Sequence, residues 1–537
     1  MMRYFGKGWP KAAFYSGAVI AMAATGLIAT PHSANAFERV KDGKILVVAG
    51  RQPVDTLDPS IKYNASIRMM QQALYDGLVK YQNTPPEIVP WLAKSWETSA
   101  DGKVWTFRLV DNAKFHNGDP VTAEAVKFSF DRTLTLNKGP AWMLADFLKP
   151  EGVKVLDKHT LQFTLEKPYG AFLSFLPWWY VMNPAQVTAN AVENDQGQKW
   201  LRSNAAGSGP FKLKRFKQGT LYEVERVKDY WRGDGGSGTI AGVVYKLVRE
   251  TSAQRAALMR GEADIVLNLS PDEFDQVARA KGIKTSTEPA LTSFGLKFNT
   301  KGKYMSDREL RKAVAYAFDY TSLISLFNDK AVLQTSPFTD DIRGKIDVPD
   351  MPRFDLAKAK QHLAKSQWPD GGIELDYVYV QGFEVTRKMG LVLIDNLRKL
   401  NINVKMVPTT WPNIVARGSK PETAADITAI FTTPVSSDPD AVAYQYHPNS
   451  WGKYYGSHFY DNQKVKELIE KARYLPSWEE RAPLYADIQK MIVDDQPEIF
   501  GMMRKRLIAY RDYVTGFSYT PVRMTTEVDF YGLGIGK

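Results

Sequence analysis

The chain of 537 residues contains no cysteine. This absence excludes disulfide bonds, a thiol nucleophile and the cysteine-based class of zinc site. It also excludes the lipid-modified cysteine that anchors an exported bacterial lipoprotein. Long apolar runs are scarce as well, because no segment beyond the first 36 residues approaches the ~18 consecutive apolar residues of a membrane span. These absences predict a soluble protein without covalent crosslinks or a lipid anchor.

The first 36 residues have the composition of a cleavable export signal. A basic start (Arg3, Lys7, Lys11) precedes an apolar but interrupted stretch, and the segment ends in the small-x-small sequence that closes at Ala36. Cleavage after Ala36 would leave a mature chain that begins at Phe37. We therefore predict that residues 1–36 are a signal peptide and that the mature protein is periplasmic.

The overall composition is that of a globular protein, with 44% hydrophobic and 24% charged residues. The net charge is +11, but lysine and arginine are dispersed among 59 acidic residues instead of forming runs. Such a distribution predicts a solvated surface of mixed sign and argues against nucleic-acid binding. A modest attraction for anionic ligands remains compatible with it.

Known catalytic motifs are absent from the sequence. There is no G-x-S-x-G elbow, no H-E-x-x-H occurs, and the histidines are widely scattered. His447 and His458 lie in a tyrosine-rich region that could indicate a metal, but no cysteine or clear carboxylate partner accompanies them. An acid/base pair of carboxylates stays open because acidic residues are plentiful. We predict no catalytic residue, no metal site and no cofactor.

Strand and helix patterns alternate along the chain. Apolar or alternating runs predict strands at 45–50 and 104–109, and helical spacing predicts a helix over 67–78. Asp307 and Asp355 are predicted to cap two further helices, because a carboxylate accepts hydrogen bonds from free backbone N–H groups there. The pattern is that of an α/β protein with more than one lobe.

Several short motifs occur in a fixed order. They are WLAKSWE (91–97), DGKVWTFRL (101–109), KFHNGDPVTAEAV (114–126), GSGPF (207–211), DYWRG (229–233), and Phe298-Asn299 with Asp307, Arg311, Ala313, Tyr316-Ala317 and Asp319. Together they resemble the signature of the family-5 extracellular solute-binding proteins, which include the oligopeptide-, dipeptide- and nickel-binding proteins of ABC importers. The similarity in order and spacing covers most of the mature chain.

The resemblance implies an α/β fold of the bilobed periplasmic binding protein type (type II, cluster C) with an extra inserted domain. One lobe would be discontinuous, built from residues 37–83, 205–288 and 498–537. The inserted domain would be 84–204, and the opposite lobe 289–497. Such proteins close on a ligand that bridges both lobes.

The implied function is that of the substrate-binding component of an ABC importer. It would capture peptides, peptide-like compounds or other small organic solutes and deliver them to the permease in the inner membrane. The resemblance further implies a monomer that performs no chemistry and binds no nucleic acid. Two alternative functions stay open. One is a secreted hydrolase, and the other is a periplasmic peptide chaperone or chemosensory receptor on the same scaffold.

The resemblance also indicates ligand-binding residues. In the dipeptide-binding branch two aromatic side chains frame the pocket, and Trp411 and Phe431 stand at the matching positions. Aromatic rings suit this task because they offer large contact area with few rotamers to lose. Tyr63 and Asn64, in the segment after the first strand, would lie at the mouth of the cleft.

The chain departs from that branch at both charged anchors. Pro434 stands where an aspartate would pair with a peptide amino group, and residues 377–383 supply Gln381 but no arginine for a carboxylate. A zwitterionic dipeptide needs both charges compensated once they leave water. Arg387 and Asp438 could substitute from neighbouring positions. The sequence therefore predicts that ordinary dipeptides are not the ligands.

Overall fold

The computed structural model describes residues 44–235, 240–522 and 527–536, so the predicted signal peptide and its cleavage site lie outside the described residues. The strands are β1 Ile45–Gly50, β2 Val79–Gln82, β3 Glu87–Pro90, β4 Ala93–Thr98, β5 Val104–Leu109, β6 Val153–Asp157, β7 Thr160–Thr164, β8 Phe211–Lys217, β9 Leu221–Arg226, β10 Gly242–Leu247, β11 Ile265–Val266, β12 Ile283–Ser286, β13 Pro289–Phe298, β14 Ala331–Leu333, β15 Ile373–Val380, β16 Ile402–Thr409, β17 Ile427–Thr432, β18 Glu498–Lys505, β19 Ile508–Arg511, β20 Val514–Thr515 and β21 Gly534–Ile535.

Helices occur between most of the strands. They are α1 Ala65–Leu74, α2 Ala123–Leu136, α3 Phe172–Phe175, α4 Pro184–Ala189, α5 Gln198–Leu201, α6 Thr251–Arg260, α7 Pro271–Ala278, α8 Arg308–Ala317, α9 Tyr320–Ser325, α10 Leu356–Leu363, α11 Glu384–Arg398, α12 Trp411–Arg417, α13 Asp440–Ala443, α14 Gln463–Tyr474 and α15 Trp478–Asp495. Within the described ranges none of these helices is long and apolar enough to cross a membrane.

Two large sheets define two lobes. The first sheet has seven strands in the order β12-β19-β11-β1-β10-β9-β8, and the second has six in the order β14-β18-β13-β17-β15-β16. In the second sheet β15 runs parallel to both β16 and β17, and helix α11 connects β15 to β16. Parallel neighbours with a helical connection are the βαβ arrangement that the sequence pattern predicts for this region. The predicted α/β fold with two lobes is confirmed.

A third sheet, of order β4-β5-β7-β6, lies within residues 93–164 and has its own core. Phe107, Phe130 and Phe163 are fully buried there and pack ring against ring. A separate core is the physical basis of a separate domain. The sheet lies inside residues 84–204, and that these residues form an inserted domain stays a prediction.

The chain passes between the two large sheets at two adjacent places. One passage joins β12 to β13 after Ser286, and the other joins β18 to β19 after Lys505. The backbone N–H of Arg506 donates to the carbonyl of Glu288 (2.9 Å), so the two connections run side by side. Strand β18 pairs with β13 and β14. The predicted lobe boundary at 498 is therefore too early by one strand, because a strand belongs to the sheet that satisfies its backbone hydrogen bonds.

Four side chains of the sequence motifs donate hydrogen bonds to one buried carboxylate, that of Asp76. It accepts hydrogen bonds from Trp91 Nε1 (2.7 Å), Tyr230 hydroxyl (2.8 Å), Trp231 Nε1 (3.0 Å) and Ser208 hydroxyl (3.0 Å). A buried charge of this kind is tolerated only when its oxygens are fully hydrogen-bonded. Three of the sequence motifs thus meet at a structural junction, away from the edge of the second sheet.

Candidate functional site

Five aromatic side chains gather at one edge of the second sheet, and we call them the aromatic wall: Phe294, Phe383, Trp411, Phe431 and Tyr454. Phe431 lies near the end of β17, Phe383 follows β15, and Trp411 follows β16 at the start of α12. These three strands are parallel, so their carboxyl ends meet at the same edge. Ligands of open α/β sheets bind outside this edge.

The rings of the aromatic wall contact one another directly. The ring centroids of Trp411 and Phe431 are 5.4 Å apart, and those of Trp411 and Tyr454 are 5.3 Å apart. Phe431 lies 5.9 Å from Phe294 and 5.8 Å from Phe383. These separations are those of favourable aromatic pairs. All but Phe294 are only half-buried, so apolar ring surface remains available to a ligand.

Tyr63, on the loop before α1 of the first lobe, lies close to the far end of the aromatic wall. Its hydroxyl accepts a hydrogen bond from Trp142 Nε1 (2.9 Å), and its ring meets Trp178 edge-on at 5.1 Å. Burial, together with the neighbouring Tyr63 and Tyr455, raises the pKa of the Tyr454 phenol to about 12. The loop of the first lobe and the wall of the second lobe therefore approach each other here.

Two of the predicted ligand residues, Asn64 and Arg387, already have partners within the protein. Asn64 caps α1, accepting from the N–H of Ile67 (2.9 Å). Arg387 lies in the first turns of α11 and donates to both carboxylate oxygens of Glu384 at 3.0 and 2.8 Å.

The prediction for Asp438 is not supported by its position. Its carboxylate is buried and accepts two hydrogen bonds from Arg481. Because the charge of this carboxylate is already compensated by a buried guanidinium, it is not available to pair with the amino group of a ligand. The Asp-Pro sequence that drew attention to it starts a buried turn, as such pairs commonly do.

The other predicted residues lie nearer to the aromatic wall. Gln381 follows β15 and is exposed, and its backbone N–H donates to the carbonyl of Thr409 (2.8 Å). Pro434 lines a cavity behind Phe431, together with Ser293 and Thr432. The structure thus brings Trp411, Phe431 and Tyr63 together and places Gln381 at the same edge.

The loop after β17 joins the second lobe to the inserted domain. Trp178 Nε1 donates to the carbonyl of Val435, and the hydroxyl of Tyr169 donates to Asp440 (2.8 Å). Val435 is packed in the core of the inserted domain. This packing positions Pro434 and the end of β17, and with them Phe431.

Sequence reasoning missed four residues at this edge. They are Phe294, Phe383, Tyr454 and Arg504. Phe383 could have been predicted from the sequence, because it follows a strand in the same way that Trp411 does. Phe294 and Arg504 had none, since only the pairing of β13, β14 and β18 brings them to the edge.

No group of three or more histidine or acidic side chains within 44–235, 240–522 and 527–536 is placed to hold a metal ion. His447 is paired with Glu470 (3.1 Å), and His458 accepts from the N–H of Tyr460 (3.0 Å). Burial lowers the pKa of both imidazoles. The two histidines have separate structural surroundings.

Comparison with known proteins gives consistent matches. The chain is 28% identical over 489 residues to the "Probable D,D-dipeptide-binding periplasmic protein DdpA" of Escherichia coli, with 89% of this chain and 92% of that protein covered. The fold is similar to that of the ABC transporter substrate-binding protein CtaP from Listeria monocytogenes (TM-score 0.82, 23% identity, 92% and 99% of the chains covered). It is also similar to AgaA from A. tumefaciens R10 in complex with agropinic acid (TM-score 0.74, 25% identity, 92% and 99% covered).

The family comparison covers most of the chain. Residues 87–454 match the model of the bacterial extracellular solute-binding proteins, family 5. This span contains all five residues of the aromatic wall and all but the first three residues of the predicted insertion at 84–204. The chain therefore belongs to the family-5 bacterial extracellular solute-binding proteins, and its role is to bind a solute.

Proposed function

We propose that this protein captures short peptides or peptide-like organic solutes between its two lobes and delivers them to an ABC permease in the inner membrane. The observation that carries the proposal is the aromatic wall at the carboxyl edge of the second sheet, with Tyr63 of the first lobe close to it. Trp411, Phe431, Tyr63 and Gln381 are the proposed ligand contacts. The mature protein acts as a periplasmic monomer.

The energy for capture comes from contacts that exist only when the lobes are closed. A ligand shifts the equilibrium between open and closed forms only by its difference in affinity for the two. Rings in the wall supply apolar contact area with little loss of side-chain entropy. The paired connections at Ser286–Pro289 and 505–508 are the proposed hinge, since few backbone torsions need to change there.

The choice of solute class is supported by the relatives and by the missing anchors. One relative is named for D,D-dipeptides, and another binds agropinic acid. Pro434 offers no charge and no N–H to an amino terminus, and residues 377–383 contain no arginine. These features favour modified peptides and amino-acid conjugates over ordinary L-dipeptides.

The proposal includes no chemical step. The family consists of binding proteins, and the proposed cycle ends with the release of an unchanged solute. Neither a hydrolase nor a chaperone is favoured by a specific observation at the aromatic wall.

The test has two parts. Native mass spectrometry of the purified protein should show a bound solute, and isothermal titration calorimetry should detect binding of D-Ala-D-Ala, D-Ala-D-Phe or agropinic acid. X-ray scattering should show that each bound compound makes the protein more compact. Chemically altered compound after incubation, or binding without compaction, would contradict the proposal.

A further inference from the structure

Arg504 places a positive charge beside the aromatic wall. It lies on β18, opposite Ala331 of β14, and its guanidinium carbon is 6.0 Å from the ring centroid of Phe294. The side chain is half-buried. A guanidinium in this position can stack on an aromatic face and still offer its N–H groups to a ligand.

This guanidinium has no acidic partner among the residues that the structure describes. Three buried cations of this chain each have an acidic partner: Arg132 with Asp58 at 2.6 Å, Lys297 with Glu498 at 2.9 Å and Arg481 with Asp438 at 2.6 Å. Removing a charge from water without a partner is costly, so proteins seldom retain one without a use. Arg311 also lacks an ion pair, but its guanidinium donates to the backbone carbonyls of Met305 and Asp495. Within the described ranges the guanidinium of Arg504 forms neither an ion pair nor a hydrogen bond, so its N–H groups are available to an anion from outside.

The first lobe contributes a second positive charge, at the carboxyl end of β1. Arg51 directly follows β1 and is exposed, and its guanidinium forms no ion pair in the described part of the chain. Burial lowers the pKa of the Arg504 guanidinium, and the positive charge of the nearby Arg51 lowers it further. Arg249 follows the neighbouring strand β10, which pairs with β1 through Gly50 and Leu247.

We propose that Arg504 and Arg51 together bind an anionic group of the solute, a carboxylate, while the aromatic wall takes its apolar part. The inference rests on the proposed solute-binding function and names the residues that set its specificity. Guanidinium groups suit this role because their N–H groups match the two oxygens of a carboxylate.

The same pair makes closure depend on the ligand. Two positive charges on facing lobes repel each other, so the closed form without an anion is disfavoured. A carboxylate between them replaces repulsion with attraction in a partly desolvated space. The difference between the two states is the quantity that drives the lobes together.

Matched acid and amide probes test the inference. D-Ala-D-Phe, D-Ala-D-Ala and their C-terminal primary amides are titrated into the protein by calorimetry at low ionic strength. The acids should bind roughly 30-fold or more tightly than their amides, as expected when one partner of a desolvated charge pair is removed. Arg504→Gln should remove most of this preference, and Arg51→Gln should reduce it. Arg398 is exposed and lies at the end of α11 that is far from Phe383, so Arg398→Gln should leave the preference for acids unchanged.

Each outcome is informative. Amides that bind as tightly as the acids would overturn the carboxylate site and leave the proposed function standing, whereas failure of every acid and amide to bind would contradict both. Circular dichroism checks the fold of Arg504→Gln. If that variant does not fold, the exposed Arg51→Gln decides, and an unchanged preference in it overturns the inference.

A measurement without ligand tests the repulsion. X-ray scattering at low salt should give a smaller radius of gyration for unliganded Arg51→Gln than for the wild type. Salt should reduce this difference, because mobile ions screen exposed charges. Equal radii at low salt would contradict the role of the pair in closure.

Discussion

The guanidinium of Arg481 donates two hydrogen bonds to the carboxylate of Asp438, at 2.8 Å from Nη1 to Oδ2 and 2.6 Å from Nη2 to Oδ1. Both side chains are buried. The pair joins α15 to the loop that follows β17, and this loop sets the position of Pro434 beside the aromatic wall. Asp438 therefore influences the site indirectly, by holding the loop that carries Pro434 in place.

Asp438→Ala is expected to destabilise the protein by about 3–5 kcal/mol, because it leaves the Arg481 charge buried without a partner. Urea unfolding followed by circular dichroism measures the loss. Asp461→Ala provides the matched control, since its pair with Lys301 is exposed and should contribute less than about 1 kcal/mol. Equal losses in the two variants would contradict the structural role.

Trp411→Ala is expected to weaken the binding of D-Ala-D-Phe roughly 30-fold or more, as truncation of a central aromatic contact does. The half-buried ring belongs to the edge of a lobe, so the variant should still fold. Calorimetry gives the affinity. Phe354→Ala, an aromatic position with 41% exposure in the same lobe, is the control and should bind as the wild type does.

Gly207→Ala is expected to cost about 3 kcal/mol or more of unfolding free energy. A Cβ atom at this position would lie 1.8 Å from the carbonyl oxygen of Leu74, so the backbone at the junction near Asp76 must move. Gly219→Ala is the comparison, because its φ of +72° is strained but its surroundings are open. That variant should lose only about 1–2 kcal/mol, and a larger loss in Gly219→Ala than in Gly207→Ala would be inconsistent with close packing.

His116 predicts a pH dependence of stability. Burial lowers the pKa of its imidazole to about 4, and Nε2 lies 3.0 Å from the carbonyl oxygen of Gly209. The unfolded chain, with an ordinary pKa of about 6.5, binds the proton first as the pH falls. The contribution of the uncharged His116 to folding stability is therefore complete above about pH 6.5 and is lost as the pH falls towards 4.

Thermal unfolding at intervals between pH 4 and pH 7 measures this effect. His116→Gln should show a shallower decline of the melting temperature than the wild type over that window. If the melting temperatures of the two proteins declined in parallel, protonation of His116 would not be coupled to unfolding, and the prediction would be wrong.

Local structure was largely predictable from the residues. Asp307 and Asp355 cap their helices as predicted, accepting from the N–H groups of Leu310 and Lys358. Thr122 directly precedes α2, but its hydroxyl accepts no backbone hydrogen bond there. Caps and strands depend on neighbours within a few residues, and that information is present in a short segment.

The candidate site was only partly predictable. Trp411 and Phe431 follow from the resemblance, and the structure places them in contact. Asp438 was misassigned because its partner Arg481 is 43 residues away. Arg504 was missed because β18 was expected in the first lobe, whereas its backbone pairs with β13 and β14.

By itself the sequence determined the absence of crosslinks, the alternation of strands and helices, and the ordered motifs of the family, because these are properties of composition and local order. Only the tertiary structure decided which charges are satisfied inside the protein and which face the space between the lobes. Pairing of a charge depends on side chains that the fold brings together from distant segments. Arg481 and Arg504 are chemically identical, and their surroundings alone distinguish an interior ion pair from a proposed ligand contact.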